Sequence, residues 1–277
     1  MAKTIAVCNQ KGGVGKTTTA VNICASLAIS GMRTLLIDLD SQGNATIFSG
    51  VDRANLQRTV YDSLIDQVPL SEIVVSSAVE RLDVAPATID LAGVDVRLSQ
   101  LPEKESILKK LCDAVRDRYD AILLDCPPSL GLITVNALVA ADAVLIPLQC
   151  EYLSLEGLTS LTQAIDLIRR SLNPSLEIGG IALTMTDFRA NLAREVADEV
   201  RKFFPGRVFD TTIPRNVRLA ESPSFGKPIF SYDPNSVGAI SYHLLAKEVM
   251  NKMLGRTAQQ PAATPQPASQ ASQPAGG

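Results

Sequence analysis

The sequence has no tryptophan, a single histidine and only five cysteines among its 277 residues. The cysteines are odd in number, and none belongs to a CxxC pair, so the sequence predicts neither a disulfide framework nor a zinc or iron–sulfur site. His243 has no second histidine with which to share a metal, which favours a structural role. We therefore expect reduced thiols, at Cys8, Cys24, Cys112, Cys126 and Cys150.

Long uninterrupted apolar runs are also missing. Polar residues 9–11 interrupt the N-terminal apolar run too early for a secretory signal, and the most apolar stretch, residues 130–148, contains Asp142. We therefore expect a cytoplasmic protein without a membrane span. The formal net charge of −3 also argues against binding a polyanion through overall charge, so any DNA affinity requires a local basic surface.

Hydrophobic residues make up 46% of the chain, which is enough to bury one large core. Ser236 is a candidate N-cap for a last helix in which Val237, Ile240, Leu244 and Met253 recur at helical spacing, and Gly255 is a candidate stop. Phe203 and Phe204 are predicted to lie in the core. After Arg256, only Ala, Gln, Pro, Ser, Thr and Gly follow. The sequence thus predicts a folded domain over 1–255 and a disordered tail over 256–277.

Short apolar runs rich in β-branched residues alternate with longer helical patterns. Because such runs lack polar alternation, they predict strands buried on both faces, and therefore an α/β fold whose mainly parallel, twisted sheet is flanked by helices. A helix over 17–30, ending at Gly31, would connect the first two strands. The predicted strands are 4–8, 33–37, 82–85, 121–124, 143–146 and 180–183.

A glycine-rich segment, KGGVGKTT at positions 11–18, lies between the first strand and this helix. Glycines allow backbone N–H groups to converge on an anion, and the helix N-terminus adds positive potential. Lys16 can reach the β- and γ-phosphates, and Thr17 can ligate magnesium. The alternative is a simple glycine turn, but its position between strand and helix favours a P-loop for ATP and Mg²⁺, formed by Lys11, Gly12, Gly13, Val14, Gly15, Lys16, Thr17 and Thr18.

The loop departs from the common P-loop pattern, which would place glycine where the chain has Gln10, and it carries an additional lysine at position 11. This deviant Walker A form resembles the ParA/MinD group of ATPases. The resemblance implies that Lys11 contacts the nucleotide of a partner subunit in a sandwich dimer. Such a residue acts as an arginine finger does, which in other P-loop enzymes increases the rate by roughly 10³–10⁵.

Three acids follow predicted strands, at the edge where open α/β sheets bind ligands. Asp38 and Asp40 end the second strand, and Asp125 follows the strand over 121–124, as a Walker B acid does. An acid at a strand end is more often a cap or turn former, but three together with a P-loop favour a magnesium–phosphate site. The segment over 38–46 resembles the DxDPQGN motif of the family, with Ser41 in place of proline. This resemblance implies that Asp40 orients the attacking water and that Asp38 supports the magnesium shell.

Further segments resemble ParA/Soj proteins from residue 5 to about residue 250. They include Pro86-Ala87-Thr88, Gln149-Cys150-Glu151-Tyr152 and Ile213-Pro214-Arg215-Asn216-Val217-Arg218-Leu219. The last of these implies that Pro214 and Asn216 lie against the adenine, although a proline after a strand is otherwise an ordinary turn residue. Paired cysteine ligands and a basic amphipathic C-terminal helix, which would indicate other branches of the group, are absent.

Residues 189–227 contain eight basic and five acidic side chains, a local balance of +3. Charge alone would favour an ordinary solvated surface. The family resemblance implies instead that Arg189 and Arg218 bind double-stranded DNA without reading its sequence. It further implies a nucleoid-associated ATP-dependent homodimer whose hydrolysis is stimulated by a ParB-type protein, in chromosome or plasmid partitioning.

Two other functions remain open at this point. One is a nucleotide-dependent switch that regulates another protein, such as a replication initiator. The other is a MinD-like membrane ATPase. Neither predicts strong ATP-dependent DNA binding as its main output, so a DNA-binding measurement separates them from the first function.

Overall fold

Seven strands form a single sheet within residues 2–255, the part of the chain that the computed structural model describes. The strands are β1 (Lys3–Val7), β2 (Thr34–Asp38), β3 (Val75–Ser76), β4 (Leu82–Ala85), β5 (Ala121–Asp125), β6 (Ala143–Gln149) and β7 (Glu177–Thr184). Their order across the sheet is β3-β4-β2-β5-β1-β6-β7. The predicted tail, 256–277, lies outside the described residues.

All strand pairings are parallel except that of β3 with β4. The six predicted strands and the mainly parallel sheet are thus confirmed. The two-residue β3 was not predicted, because a strand this short has no detectable periodicity. Strand β7 begins three residues before its predicted start, and β6 ends three residues after its predicted end.

Twelve α-helices connect or cover these strands within residues 2–255. They are α1 (Lys16–Ile29), α2 (Asn44–Phe48), α3 (Val60–Asp66), α4 (Leu70–Ile73), α5 (Val94–Leu98), α6 (Ile107–Asp113), α7 (Leu132–Ala140), α8 (Leu153–Ser171), α9 (Asn191–Phe203), α10 (Val217–Glu221), α11 (Ile229–Tyr232) and α12 (Val237–Lys252). Helix α1 is followed by Gly31, whose φ of 92° is the left-handed conformation expected of a glycine stop.

Two apolar layers enclose the sheet. Successive residues of β1 alternate between them, so that Ile5 and Val7 pack with α1 and α12 while Ala6 faces the layer that contains α7, α8 and α9. Both faces of the central strands are therefore buried. This burial explains why these strands lack polar alternation in the sequence.

Two sequence expectations are wrong in detail. Helix α12 forms with Ser236 as its N-cap, but of the apolar residues at helical spacing only Met253 is buried. Val237, Ile240 and Leu244 are exposed, and the buried side is formed by Tyr242, Leu245, Ala246 and Val249. Phe203 was expected in the core together with Phe204. Only Phe204 packs against the core, and Phe203 is 65% exposed because it ends α9 on the side away from the sheet-facing residues.

Candidate nucleotide site

The phosphate loop spans the residues between β1 and α1. Gly13 and Gly15 have φ angles of 75° and 86°, a left-handed conformation that glycine adopts without the strain of a side chain. Gly15 is the N-cap of α1, so the positive end of this 14-residue helix opens onto the loop. The Thr184 hydroxyl at the end of β7 donates to the Val14 carbonyl at 2.8 Å, which fixes the loop against the sheet.

The two lysines of the loop occupy different environments. Lys16 is only 7% exposed, and its Nζ donates to the Lys11 carbonyl at 3.1 Å. Burial lowers the pKa of Lys16, although the nearby Asp125 acts in the opposite direction. The Lys11 side chain is about one-third exposed and forms an ion pair with Glu151, which follows β6. Only Lys16 therefore points its charge into the interior of the site.

Asp38 and Asp125 end neighbouring strands and lie side by side in the register of β2 and β5. Both are fully buried. Asp38 Oδ2 accepts hydrogen bonds from the Thr46 backbone N–H and hydroxyl, each at 2.8 Å, and Oδ1 accepts one from the Asp40 N–H at 3.2 Å. Burial raises the pKa of Asp38 to about 6 and outweighs these hydrogen bonds, which lower the pKa; the charge of Asp40 adds to the increase.

Asp125 differs from Asp38 because neither of its carboxylate oxygens makes a hydrogen bond of normal geometry. Burial and then the charge of Asp38 raise its pKa well above the usual value; the Thr17 hydroxyl is close enough to lower it somewhat. An acid whose pKa is raised on folding destabilises the folded state once the pH exceeds its unfolded value. A cation at this place would therefore relieve an unfavourable charge.

The unpartnered Asp125 carboxylate fits a hydrated magnesium ion, which prefers oxygen ligands and retains several waters. Within residues 2–255, no group of three or more His, Cys, Asp or Glu side chains is placed to hold a metal. A cation here would consequently take its other ligands from the Thr17 hydroxyl, water and phosphate. This ligand set fits a nucleotide-bound Mg²⁺.

Asp40 lies beyond the end of β2, at the start of a turn in which Gly43 N–H donates to the Asp40 carbonyl at 2.9 Å. Its Oδ1 accepts from the Gln42 N–H at 3.0 Å. The turn requires glycine at position 43, because φ is 62° and a Cβ there would lie 2.6 Å from the Ala87 carbonyl oxygen. Asp40 is near enough to raise the pKa of Lys16, so the structure brings it to the phosphate loop.

A cavity of about 180 Å³ opens beside the start of α1. Pro214 and Asn216, the two residues predicted to lie against the adenine, both line it. The Asn216 side chain also caps α10, since its Oδ1 accepts from the Leu219 N–H at 3.2 Å. The cavity lining is mostly apolar, and its size suits a purine ring.

Sequence reasoning missed two residues of this cavity. Met185 lines it with a φ of 48°, which is unusual for a residue with a side chain. Tyr242 of α12 also lines it, and its hydroxyl lies 3.1 Å from that of Thr19. Neither residue has a neighbouring motif, and their distance from the phosphate loop in sequence hides their proximity to it.

Of the two arginines predicted to bind DNA, Arg189 lies in the turn before α9 and Arg218 lies in α10; the segments that lead to them are adjacent, because Thr186 and Pro214 form an isolated parallel bridge. Arg189 binds Asp187 through two nitrogens, at 2.8 and 2.6 Å. Arg218 binds Glu221 at 3.0 Å and Asp233 at 3.3 Å. Asp187 and Asp233 lie outside the 189–227 window, so the local excess of +3 overstates the positive charge of this surface.

None of the helices in residues 2–255 combines the length and the apolar character needed to cross a bilayer.

Comparison with known proteins gives concordant matches. A family model described as an AAA domain matches residues 2–178. The chain is 53% identical to the sporulation initiation inhibitor protein Soj of Bacillus subtilis, over 90% of this chain and 98% of that protein. It is 50% identical to the chromosome partitioning protein ParA of Myxococcus xanthus, over 91% of this chain and 89% of that protein.

Among solved structures, a Mycobacterium smegmatis protein described as cobyrinic acid a,c-diamide synthase, with bound ADP and magnesium, superposes with a TM-score of 0.79. It is 34% identical to this chain, and the match covers 94% of this chain and all of that one. The fold is thus shared, over most of the chain, with a protein crystallised with ADP and magnesium.

Proposed function

The chain belongs to the ParA/Soj family of partitioning ATPases, and on that premise we propose how its residues bind ATP, hydrolyse it and couple hydrolysis to DNA. It is an ATP hydrolase that works with Mg²⁺ in ParA-type partitioning. The observation that carries this conclusion is the position of the buried Lys16 and the unpartnered Asp125 beside a P-loop.

The loop holds the triphosphate. Backbone N–H groups from Gly12 to Thr18 and the N-terminus of α1 surround the phosphate oxygens, and Lys16 supplies the interior positive charge. Pro214 and Asn216 pack against the base in the apolar cavity. The lowered pKa of Lys16 rises again when phosphate replaces the Lys11 carbonyl as its partner, so binding stabilises the charged lysine.

Thr17, Asp125 and Asp38 form the magnesium side of the site. Thr17 would hold the ion through its hydroxyl, Asp125 would hold it through water, and Asp38 would support this arrangement. Because Asp38 uses both oxygens to hold Thr46 and Asp40, its support is exerted through the loop over 38–46. Mg²⁺, when bound, would neutralise the charge that develops on the transferred phosphoryl group.

Hydrolysis requires an oriented water, and Asp40 is the acid in position to orient it. Its carboxylate has one oxygen engaged by the Gln42 N–H, which fixes its direction. Lys11 of a second subunit completes the site across a sandwich dimer. Gly12 supports such close approach, because a Cβ at this position would have no atom within 4 Å in its own subunit.

The dimer presents Arg189 and Arg218 of both subunits to duplex DNA. When one subunit of the dimer binds DNA, the second subunit is held close to the same duplex. This high effective concentration makes the dimer bind DNA more tightly than a monomer does. ATP binding thereby places the protein on the nucleoid in the cytoplasm, and a ParB-type partner stimulates hydrolysis and release. The exposure of Arg189, whose side chain is 91% accessible, supports its role in this contact.

A function in amide synthesis, suggested by the name of the Mycobacterium smegmatis structure, has weaker support because that protein is 34% identical whereas Soj is 53% identical. A purely regulatory switch on a replication initiator would share the nucleotide site. It would not require the dimer to bind DNA. A DNA-binding measurement therefore distinguishes the two functions.

The test measures phosphate release and DNA co-sedimentation with ATP and Mg²⁺, with ADP and Mg²⁺, and with EDTA. We expect turnover only with ATP and Mg²⁺, and duplex binding that falls steeply as salt rises. Turnover without DNA binding under any nucleotide condition would favour the regulatory switch. Binding to liposomes in place of DNA would favour a membrane ATPase.

A further inference from the structure

The ion pair between Lys11 and Glu151 links the lysine assigned to the partner's nucleotide to an acid of its own subunit. Glu151 follows β6, the strand that pairs with β1, and β1 leads into the phosphate loop. The pair therefore joins the two loops at the carboxyl edge of neighbouring strands. Lys11 cannot hold Glu151 and a phosphate of the partner at full strength at the same time.

Further hydrogen bonds hold the Glu151 carboxylate and the Lys11 backbone in place beside each other. Gln149 Nε2 donates to Glu151 Oε1 at 2.6 Å, while Lys11 occupies Oε2. Asn9, which is 4% exposed, accepts from the Lys11 N–H at 3.0 Å and donates to the Pro147 carbonyl at 2.7 Å. Both ends of the pair are thus anchored to β6.

We propose that Glu151 is a positioning residue that holds Lys11 within its own subunit and so sets the protein concentration at which the ATP-bound dimer forms. The inference rests on the proposed sandwich dimer. Each subunit must release one such pair when its Lys11 moves to the partner's γ-phosphate, so two pairs are lost for each dimer. The γ-phosphate, with more negative charge than one carboxylate, is what displaces Glu151; ADP lacks that competitor.

The size of the effect follows from the exposure of the pair. Its side chains are 34% and 49% accessible, so solvent screens the attraction. An exposed ion pair corresponds to roughly a 1.4- to 5-fold change in an equilibrium constant. Because two pairs are released, Glu151→Gln should lower the dimer Kd in ATP by roughly 2- to 30-fold. The change in Kd should shrink as salt rises.

The experiment measures the dimer Kd by sedimentation with ATP and Mg²⁺ for the parent and for Glu151→Gln. Glu156→Gln is the matched control, because it removes the same charge from an exposed acid of the same segment. ATP affinity of the monomer should be unchanged, since Glu151 contacts neither Lys16 nor the acids of the site. Glu151→Ala removes the hydrogen-bond acceptor altogether and should give the same dimer Kd as Glu151→Gln. A difference between the two values would show that the glutamine amide itself affects the dimer.

Lys11→Ala separates failure of the inference from failure of the proposed dimer. If Lys11→Ala loses the ATP-dependent dimer, and Glu151→Gln tightens the dimer only when Lys11 is present, the inference is supported. If Lys11→Ala loses the dimer but Glu151→Gln matches Glu156→Gln or dimerises more weakly than the parent, the inference is overturned and the proposed function stands. If Lys11→Ala dimerises with ATP as the parent does, the sandwich dimer itself is wrong, and the inference fails with it.

Discussion

The nucleotide site and the surface that carries Arg189 and Arg218 differ in how their charged side chains are buried and paired. Lys16, Asp38 and Asp125 are buried, and both oxygens of Asp125 lack hydrogen-bond partners. Arg189 and Arg218 are exposed, and each is already paired with an acid. Buried charges that lack partners gain most from a ligand, whereas exposed pairs exchange one partner for another at small net gain. Substitutions in the first region should therefore have much larger effects than those in the second.

Lys16→Ala should have the largest effect. It removes the interior positive charge of the phosphate site and leaves Asp125 without the cation that lowers its pKa. We expect ATP affinity, measured by calorimetry, to fall by at least about 100-fold, since charged hydrogen bonds to a buried group contribute about 1.5–3 kcal/mol and desolvation adds to this. Lys3→Ala, the same change at the other end of β1, is the control. Unchanged ATP affinity in Lys16→Ala would reject the P-loop assignment.

Gly12→Val tests the dimer without disturbing the subunit. Gly12 has no positive φ, and an added Cβ meets no atom within 4 Å, so the melting temperature and ATP affinity should be close to those of the parent. The ATP-dependent dimer should be lost, because a branched side chain would separate the two loops. Light scattering with ATP and Mg²⁺ measures the mass of the particle and so distinguishes monomer from dimer. A Gly12→Val dimer that forms at the same protein concentration as the parent dimer would count against the sandwich arrangement.

Gly13→Val provides the contrast to Gly12→Val. Its φ of 75° strains any residue with a side chain, so this variant should lose ATP binding itself.

Arg189→Glu and Arg218→Glu should have smaller, graded effects. Each should weaken duplex binding and reduce the slope of log affinity against log salt by about one, as loss of a single phosphate contact does, while the ATP-dependent dimer remains. Arg207→Glu is the matched control, since Arg207 also pairs with an acid, Glu177, but at the opposite end of β7. Three variants with the parent's affinity in gel shifts would mean that DNA contacts another surface.

The contrast between the two regions also explains what could be predicted from sequence. The phosphate loop and the acids at strand ends follow from local patterns, because a strand, a glycine loop and a helix in succession leave few alternatives. Arg189 pairs with Asp187, and Arg218 pairs with Asp233. A count of charges over 189–227 omits both of these acids. The pairing of Arg218 with Asp233 is set by tertiary structure, whereas Arg189 pairs locally with Asp187, which lies just outside the counted segment.

Other features were hidden for the same reason. Cys8 and Cys126 are 118 residues apart, yet the Cys8 thiol lies 3.0 Å from the Cys126 sulfur, because each follows one of two paired strands. All five cysteines are free thiols and buried. The ion pair of Lys11 with Glu151 likewise spans 140 residues, so the motif identified the lysine but not its partner.

The central claim is that Asp40 orients the water while Asp38 maintains the loop and Lys16 binds the nucleotide. The direct measurement is phosphate release, together with DNA residence time, for Asp40→Ala and Asp38→Asn at saturating ATP and Mg²⁺. Asp40→Ala should bind ATP like the parent and hydrolyse it at least about 100-fold more slowly, the effect typical of losing a positioned acid or base. It should accumulate as a long-lived dimer on DNA. Normal turnover in Asp40→Ala, with the trapped dimer appearing in Asp38→Asn instead, would contradict the account.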